Sequence, residues 1–246
     1  MDLQLKGKRA LVMGSSTGLG RAVAEALIAE GVDVILCARS EEKLQKAVKE
    51  IGARAGIVAD LTKAGVAKNL IEKSIQTLGG LDILVTNTGG PQKNNFQDVT
   101  REQWHTDFQS LWMSVIESLN AVLPSMRQQK FGRILMITSL AAKEPLAGLT
   151  TSNGFRAGLS GLAKSIVNEV ASDGITINLL LPGYTATDRL KELKLTDEKI
   201  RQLVPAGRLG EPRELADLAC FLSSPRAGYI NGQSIVVDGG ALRGHS

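Results

Sequence analysis

Three glycines follow the first apolar run of the sequence at a spacing that suits phosphate binding. In "MGSSTGLGRAVAEAL" (13–27) they form the pattern G-x-x-x-G-x-G between a strand-like run and a helix-like stretch. Glycines permit a tight turn and a close backbone approach to a phosphate, and the following helix N-terminus presents free N–H groups to it. The strand–turn–helix context predicts a dinucleotide site, and the pattern G-K-[ST] of a P-loop is not present. The residues predicted to contact the cofactor here are Gly14, Ser15, Ser16, Gly18, Leu19 and Gly20.

The end of the second apolar run bears on the choice of dinucleotide. A free ribose 2′-hydroxyl is usually bound by a carboxylate, whereas a 2′-phosphate is bound by cations. The run ends in "LCARS", which contains no acidic residue and carries Arg39. Because a guanidinium matches a phosphate with two parallel hydrogen bonds, Arg39 predicts NADP(H) as the cofactor. The alternative is that Arg39 is a solvated residue at the start of a helix.

Apolar runs alternate with helix-like stretches along the whole chain. The runs are nearly continuous in apolar residues, which is typical of strands buried on both faces of a parallel sheet. They lie at 9–14, 32–38, 55–60, 81–87, 132–139, 174–182 and 233–239. This alternation predicts an α/β fold with a doubly wound parallel sheet, in a single domain that spans residues 1–246.

The composition argues against a membrane protein and a disulfide-bonded secreted protein. Of the 246 residues, 43% are hydrophobic and 22% are charged, as in an ordinary globular protein. No apolar run approaches the roughly 18–20 residues that span a bilayer, and the N-terminus has no signal-peptide pattern. Cys37 and Cys220 lie in apolar runs and are expected to be buried free thiols. We therefore expect a cytoplasmic protein without a membrane partner or a metal site.

The net charge of +4 does not indicate nucleic-acid binding. The 29 basic residues are spread among 25 acidic ones, without a Lys/Arg block, and only 4% of the residues are aromatic. A nucleic-acid partner normally leaves a clustered basic patch in the sequence. An anionic small-molecule ligand fits this distribution better.

Several short motifs follow one another in a fixed order along the chain. They are the glycine turn, "ADL" (59–61), "NTGG" (87–90), "ITS" (137–139), "LPGYTATD" (181–188) and "INGQSIVVDGG" (230–240). This series resembles the short-chain dehydrogenase/reductase family over nearly the whole chain, and within that family the chain is most similar to the 3-oxoacyl-acyl-carrier-protein reductase-like group. The resemblance implies a seven-stranded Rossmann-type sheet with helices on both faces, and a small-molecule carbonyl or acyl substrate. It also implies a homo-oligomer, usually a homotetramer.

The same resemblance assigns further cofactor contacts and a substrate lid. It places the adenine beside the end of the third strand and the nicotinamide beneath the loop that follows the sixth. The residues implied are Asp60 and Leu61 at the adenine, Asn87 and Gly89 beside the fourth strand, and Pro182, Gly183 and Thr187 over the nicotinamide. The segment 185–207 corresponds to the family's lid, which varies freely in sequence.

The catalytic motif of the family is altered in this chain. Members of the family use a tyrosine and a lysine four residues apart, a serine, and an asparagine in the preceding long helix. Anchored on "AGLSGLAKS" (157–165), the lysine position falls on Arg156 and the tyrosine position on Ser152, while the serine is kept as Ser139. The asparagine position falls on Leu111, or on Ser110 if the alignment shifts by one residue.

The replacements change what the site can do with a proton. An arginine keeps the positive charge and can hold ribose hydroxyls, but it does not release its proton near neutral pH. A serine hydroxyl is a far weaker acid than a phenol with a pKa near ~10. Tyr184 is a candidate for the phenol, although packing over the cofactor is the interpretation we favour. Lys143 either binds an anionic substrate, or acts as the acid, or is a solvated loop residue.

Three hypotheses follow from this altered motif. The first is an NADP(H)-dependent oxidoreductase that interconverts a carbonyl and an alcohol through an atypical proton path. The second is a non-catalytic NADP(H)-binding protein that acts as a regulatory or oligomer partner. The third is non-redox chemistry on the same scaffold.

Overall fold

A parallel sheet forms the centre of the computed structural model, which describes residues 1–191 and 195–244. The sheet has seven strands in the order β3-β2-β1-β4-β5-β6-β7, and every neighbouring pair is parallel. The strands are β1 (Arg9–Val12), β2 (Asp33–Ala38), β3 (Ala55–Val58), β4 (Ile83–Asn87), β5 (Gly132–Ile137), β6 (Ile175–Pro182) and β7 (Ser234–Val237). Each strand lies within one of the seven apolar runs, so the predicted sheet is confirmed.

Helices connect the strands and cover both faces of the sheet. They are α1 (Gly18–Ala29), α2 (Glu41–Ile51), α3 (Val66–Leu78), α4 (Arg101–Phe108), α5 (Ser114–Gln128), α6 (Thr150–Val170), α7 (Asp188–Lys191), α8 (Asp197–Leu203) and α9 (Pro212–Ser223). A π-helical turn, Gln109–Met113, joins α4 to α5. Within the predicted lid the structure has α7 and α8, and residues 192–194 lie outside the described residues.

Alternating side chains of the strands build two apolar cores, one on each face. On β1, Ala10 and Val12 pack with α1, α2 and α9, whereas Leu11 points into the core that contains α3, α5 and α6. The same period of two recurs on β2, β4, β5 and β6. Because both faces are buried, the strands read as continuous apolar runs in the sequence. The predicted doubly wound α/β arrangement is confirmed.

The strand order reverses between β1 and β4, and this places the site. From β1 the chain proceeds outward to β2 and β3, and then crosses back to β4 on the other side of β1. At such a switch point the two adjacent connections leave in opposite directions and open a crevice at the carboxyl ends of the strands. The segments that follow β1, β4, β5 and β6 all begin at this edge.

Other expectations concern the thiols and the membrane. Cys37 and Cys220 are buried free thiols, and burial raises the pKa of each to about 12. Both are therefore protonated at neutral pH. Among the helices of the described part of the chain, none is long and apolar enough to cross a membrane.

Candidate active site

A cavity of about 630 Å³ opens at the carboxyl edge of the sheet. Its walls come from the segments after β1, β4, β5 and β6 and from the start of α6. They include Gly14, Gly18 and Leu19; Asn87, Thr88, Gly89 and Lys93; Ser139 and Leu140; Leu146, Leu149, Ser152 and Arg156; and Pro182, Gly183, Tyr184 and Thr187. The sequence predicts nineteen residues for the candidate site. Ser152 and Arg156 line this cavity, and so do ten of the other seventeen.

The glycine turn after β1 is folded tightly against the end of β4. Gly14 has a φ of +57°, in the left-handed region that favours glycine. A Cβ on Gly20 would lie 2.4 Å from the carbonyl oxygen of Gly14, so the helix can begin here only with glycine. The side-chain amide of Asn87 donates a hydrogen bond of 3.0 Å to the same oxygen. The two predicted cofactor segments are therefore joined to each other.

The first turn of α1 offers backbone donors to the cavity. Its N-cap residue, Thr17, makes no side-chain capping bond, and Gly18 and Leu19 line the cavity. The N–H groups of a first helical turn lack partners within the helix and carry its positive dipole end. This geometry fits a pyrophosphate group.

Ser15 has a different position from the one the sequence suggested. Its side chain is fully buried, and its hydroxyl donates to the carbonyl oxygen of Val12 at 2.6 Å and accepts from the N–H of Cys37 at 3.0 Å. The hydroxyl therefore joins β1 to β2 and is not directed at a ligand. Neither Ser15 nor the partly exposed Ser16 is among the cavity-lining residues.

Arg39 and Asp60 lie farther along the same edge, beyond the cavity walls. Arg39 is exposed immediately after β2. The carboxylate of Asp60, after β3, accepts hydrogen bonds from the hydroxyl and the N–H of Thr62 at 2.8 and 3.1 Å. These bonds, with the charges of Lys63 and Arg39, lower the pKa of Asp60. The exposed guanidinium thus lies at the end of the sheet where the sequence predicts the adenosine half of the cofactor. Leu61, which follows Asp60, is partly buried against the core.

Ser139 follows β5 and faces the cavity. Its hydroxyl oxygen accepts a hydrogen bond of 3.2 Å from the N–H of Ala141. A hydroxyl has one donor and two acceptor sites, so this bond fixes the oxygen and leaves the Ser139 proton free to be donated. The retained serine therefore presents a donor to the cavity.

Ser152 and Arg156 form a buried pair on α6. The Nε of Arg156 donates to the Oγ of Ser152 at 3.1 Å, and its Nη1 donates to the carbonyl oxygen of Ile137 at 3.3 Å. Only 4% of Ser152 and 6% of Arg156 are exposed, yet both line the cavity. Their four-residue spacing stacks them one helical turn apart. The guanidinium thus bridges α6 and the end of β5 at the cavity wall.

Of the two additional candidates from the sequence, Tyr184 and Lys143, only Tyr184 lines the cavity. Tyr184 is half-buried and lines the cavity as predicted. Lys143 ends the short turn Leu140–Ala142 after β5, where it is exposed and does not belong to the cavity lining, which favours the solvated loop residue among its three alternatives. Lys93 lines the cavity instead, because Asn94 pairs with Leu149 and brings its loop back over the site. That pairing is tertiary, and no local pattern in the sequence marks it.

The position of the missing asparagine is occupied by apolar core. Leu111 is 1% exposed and lies within the π-helical turn, while the neighbouring Ser110 directs its hydroxyl to the carbonyl oxygen of Asp107 at 3.4 Å. Neither residue is among those that line the cavity. A π-turn is a rare distortion that often marks a functional site. Here the π-turn places an apolar side chain, Leu111, in the core.

Comparisons with known proteins agree with this geometry. The family model described as enoyl-(acyl carrier protein) reductase matches residues 14–241. The chain is 39% identical over 240 residues to the 3-oxoacyl-[acyl-carrier-protein] reductase of Haemophilus influenzae, covering 96% of this chain and 98% of that protein.

Two solved structures are close to the whole chain. L-sorbose reductase from Gluconobacter frateurii, complexed with NADPH and L-sorbose, has a TM-score of 0.93 and 29% identity, covering 99% of this chain and 100% of the other. An NADPH-bound short-chain oxidoreductase from Pseudomonas aeruginosa, described as containing an atypical catalytic center, has a TM-score of 0.89 and 32% identity, covering 96% and 97%.

The parallel sheet, the glycine turn and the cavity at the switch point define a Rossmann-type oxidoreductase. The chain belongs to the short-chain dehydrogenase/reductase family. The family and the enzyme class predicted from the sequence are confirmed, and the NADP(H) prediction is confirmed by these NADPH-bound neighbours.

Proposed function

We propose that this protein is an NADP(H)-dependent, 3-oxoacyl-acyl-carrier-protein reductase-like enzyme that interconverts a carbonyl and an alcohol without a catalytic tyrosine. The observation that carries the proposal is the Arg156–Ser152 pair, with its 3.1 Å hydrogen bond, in the wall of the cavity that also holds Ser139. A cation and two hydroxyl groups therefore surround the place where the substrate oxygen would lie.

The residues present fit a dinucleotide. The free first-turn N–H groups at Gly18 and Leu19 suit its pyrophosphate, and Asn87 and Gly89 suit the ribose and nicotinamide half. Gly183 packs so closely on Asp238 that an added Cβ would lie 2.6 Å from the Cβ of Asp238. The loop that follows β6 therefore has no room for a side chain at this position. When bound, NADPH supplies a hydride to the carbonyl carbon.

The protein's part is to stabilise the negative charge that forms on the substrate oxygen. Ser139 donates its free proton to that oxygen in a hydrogen bond and so orients the carbonyl. The fixed positive charge of Arg156 lies in the same wall and stabilises the alkoxide as it develops. Because both groups are held before reaction, they need no rearrangement at the moment of transfer.

Delivery of the proton follows from the direction of the Arg156–Ser152 bond. Since Arg156 donates to Ser152, the hydroxyl hydrogen of Ser152 points elsewhere and can bond to the alkoxide or to a water. The guanidinium does not release a proton, so the proton comes ultimately from water, relayed through Ser152. Tyr184 serves as a wall of the cavity in this scheme, with its phenol as the alternative donor.

The lining also bears on the substrate. Leu140, Leu146 and Leu149 make one side of the cavity apolar, and Lys93 places a cation at its edge. This combination suits an apolar or acyl carbonyl compound that carries an anionic group. The segment 185–207 would cover it as a lid.

The test is reduction of a carbonyl panel by NADPH, followed by the loss of reduced-nicotinamide absorbance. We expect turnover in the wild type and a loss of roughly 100- to 1,000-fold in Ser139→Ala, the usual effect of removing a donor to a developing oxyanion. Ser234→Ala is the matched control. The hydroxyl of Ser234, on β7, donates to the hydroxyl of Ser160 on α6, and neither residue lines the cavity.

The same assay separates the two other hypotheses. Tight NADPH binding without turnover of any carbonyl would favour the non-catalytic binding protein. This hypothesis is the second candidate because a buried leucine, Leu111, stands at the position of the family's catalytic asparagine. A product formed without any change in nicotinamide absorbance would select non-redox chemistry. The single-domain organisation, the homotetramer and the cytoplasmic location stay predictions.

A further inference from the structure

A buried carboxylate lies behind the cavity wall, outside the machinery described above. Asp107, near the end of α4, is 6% exposed, although its neighbours Thr106 and Phe108 are exposed. Burial of a carboxylate is costly unless hydrogen bonds replace its water. The position of Asp107 therefore requires partners inside the protein.

The first partner is the residue that precedes Ser152. The hydroxyl of Thr151 donates to Oδ2 of Asp107 at 2.7 Å across 44 residues of sequence, and Thr151 is itself 2% exposed. Thr151 and Ser152 are consecutive on the first turn of α6. A bond that fixes Thr151 therefore also fixes the backbone from which the Ser152 hydroxyl projects.

The start of α6 lacks a cap of its own. Its N-cap residue is Leu149, which has no side-chain capping bond. A helix N-terminus carries a partial positive charge and unpaired N–H groups, and an anion close to it is stabilising. Asp107 supplies this anion from another helix, at the end of α6 that bears the Arg156–Ser152 pair.

The second partner joins the carboxylate to the loop that carries Lys93. The amide of Gln103 donates to Oδ2 of Asp107 at 3.4 Å, while its Oε1 accepts from the side chain of Asn94 at 2.5 Å. Asn94 in turn receives a bond from Thr150 to its carbonyl oxygen and donates its N–H to Gly148. Asn94 directly follows Lys93, so these hydrogen bonds of Gln103 and Asn94 hold the loop that carries the cation of the cavity.

We propose that Asp107 is a positioning residue for the active site: its buried carboxylate joins Thr151 and the Gln103–Asn94 pair, and thereby sets the distance between Ser152 and the Lys93 loop. The inference rests on the proposed function for its kinetic consequence, but the linkage itself can be measured without turnover. Asp107 acts through Thr151 and does not touch the substrate.

The kinetic test uses Asp107→Asn, which keeps the shape and one acceptor oxygen but removes the charge, and Thr151→Val, which removes the donor. We expect each to lower kcat about 10-fold or more, since small misplacements of catalytic groups are costly, while the Kd for NADPH changes less than about threefold. The double variant should be no worse than the poorer single one, because both remove one linkage. Thr151→Ser should restore kcat.

The matched control is Glu102→Gln, an exposed acid on the same helix α4, which should leave both constants unchanged. An Asp107→Asn variant with wild-type kcat, or effects of the two single variants that multiply in the double one, would overturn the proposal. If Asp107→Asn does not fold, Thr151→Val and its rescue by Thr151→Ser decide the question in the same way.

Amide hydrogen exchange separates this proposal from the proposed function. We expect faster exchange in 88–95 and 150–154 of Asp107→Asn than in Glu102→Gln, with unchanged exchange in β1 and β2. If the wild type binds NADPH but reduces no carbonyl, this pattern supports the linkage while the proposed function fails. Unchanged exchange in both segments overturns the linkage whether or not the enzyme is active.

Discussion

The Nε of Arg156 donates a hydrogen bond of 3.1 Å to the Oγ of Ser152, one turn away on the same helix. The direction of this bond distinguishes the site from one with a tyrosine and a lysine, because the cation cannot exchange a proton and the hydroxyl keeps its own. In the proposed mechanism, the pair therefore preserves the charge of the site, and the proton is supplied by water.

The pair itself can be tested by substitution of the arginine. Arg156→Ala removes a hydrogen bond to a charged group, which contributes about 1.5–3 kcal/mol, so we expect kcat/KM to fall roughly 10- to 100-fold. Arg156→Lys keeps the charge but loses the two-pronged geometry that reaches both Ser152 and Ile137. Its kcat/KM should therefore lie between that of the wild type and that of Arg156→Ala. Steady-state kinetics with NADPH measures both. Equal kcat/KM values for Arg156→Lys and the wild type would contradict this account.

Arg39 should govern the choice between NADPH and NADH. Arg39→Ala is expected to raise the Kd for NADPH about 10- to 100-fold through loss of a charge-assisted phosphate contact, and to leave the Kd for NADH unchanged. Arg54→Ala provides the control, since it removes an exposed arginine at the opposite end of β3. A parallel loss of affinity for both nucleotides would show that Arg39 does not read the 2′-phosphate.

Gly20 is the most demanding position of the turn. In Gly20→Ala the new methyl group meets the Gly14 carbonyl at 2.4 Å and the Asn87 amide at 2.7 Å, and neither can move without opening the turn. We expect a loss of ~1–3 kcal/mol in unfolding free energy together with weaker NADPH binding. Gly161→Ala is the matched control, because no atom lies within 4 Å of a Cβ at that position on α6. It should raise the free energy of unfolding by about 0.5–1 kcal/mol.

Lys93 is expected to contribute to substrate choice. With carbonyl compounds that differ only in the presence of a carboxylate, Lys93→Met should raise KM about two- to fivefold for the acid alone, the range of an exposed ion pair. Lys143→Met should change neither KM value, because Lys143 points into solvent away from the cavity. An effect of Lys143→Met on KM that exceeds that of Lys93→Met would contradict this assignment and would place the anion site at Lys143.

Glu214 should make the stability of the protein depend on pH in the acid range. Two hydrogen bonds from Arg208, with the N–H of Glu211, lower the pKa of Glu214 to about 2 from its ordinary value of 4.5. A lowered folded-state pKa means that the stabilisation is complete above pH 4.5 and is lost as the pH falls toward 2. Denaturant unfolding should therefore show a wild-type advantage over Glu214→Gln that shrinks across this window. A constant difference at every pH would contradict the assignment.

The sheet and the glycine turn could be predicted because each depends on local patterns. Strands buried on both faces appear as continuous apolar runs, and the G-x-x-x-G-x-G spacing has its meaning within a few residues of β1. Ser152 and Arg156 could be located because they lie on one helix at a fixed distance from a recognisable anchor.

The remaining features depend on contacts between distant segments. Lys93 enters the cavity only because Asn94 pairs with Leu149, and Asp107 is buried only because Thr151 reaches it from another helix. Ser15 belongs to the glycine motif, but its hydroxyl is used by a neighbouring strand. None of these relationships has a period or a spacing in the sequence, so local patterns do not mark them.

The bond from Arg156 to the carbonyl oxygen of Ile137 has a consequence for how this active site could change over generations. A guanidinium that is bonded to both Ser152 and the end of β5 occupies the wall against which a tyrosine ring at position 152 would have to fit. A lysine at position 156 reaches one of the two acceptors and leaves the other without its donor. Each single substitution back toward the family's common motif therefore loses a contact of the present site. Positions 152 and 156 are accordingly expected to have been substituted together and to be inherited together.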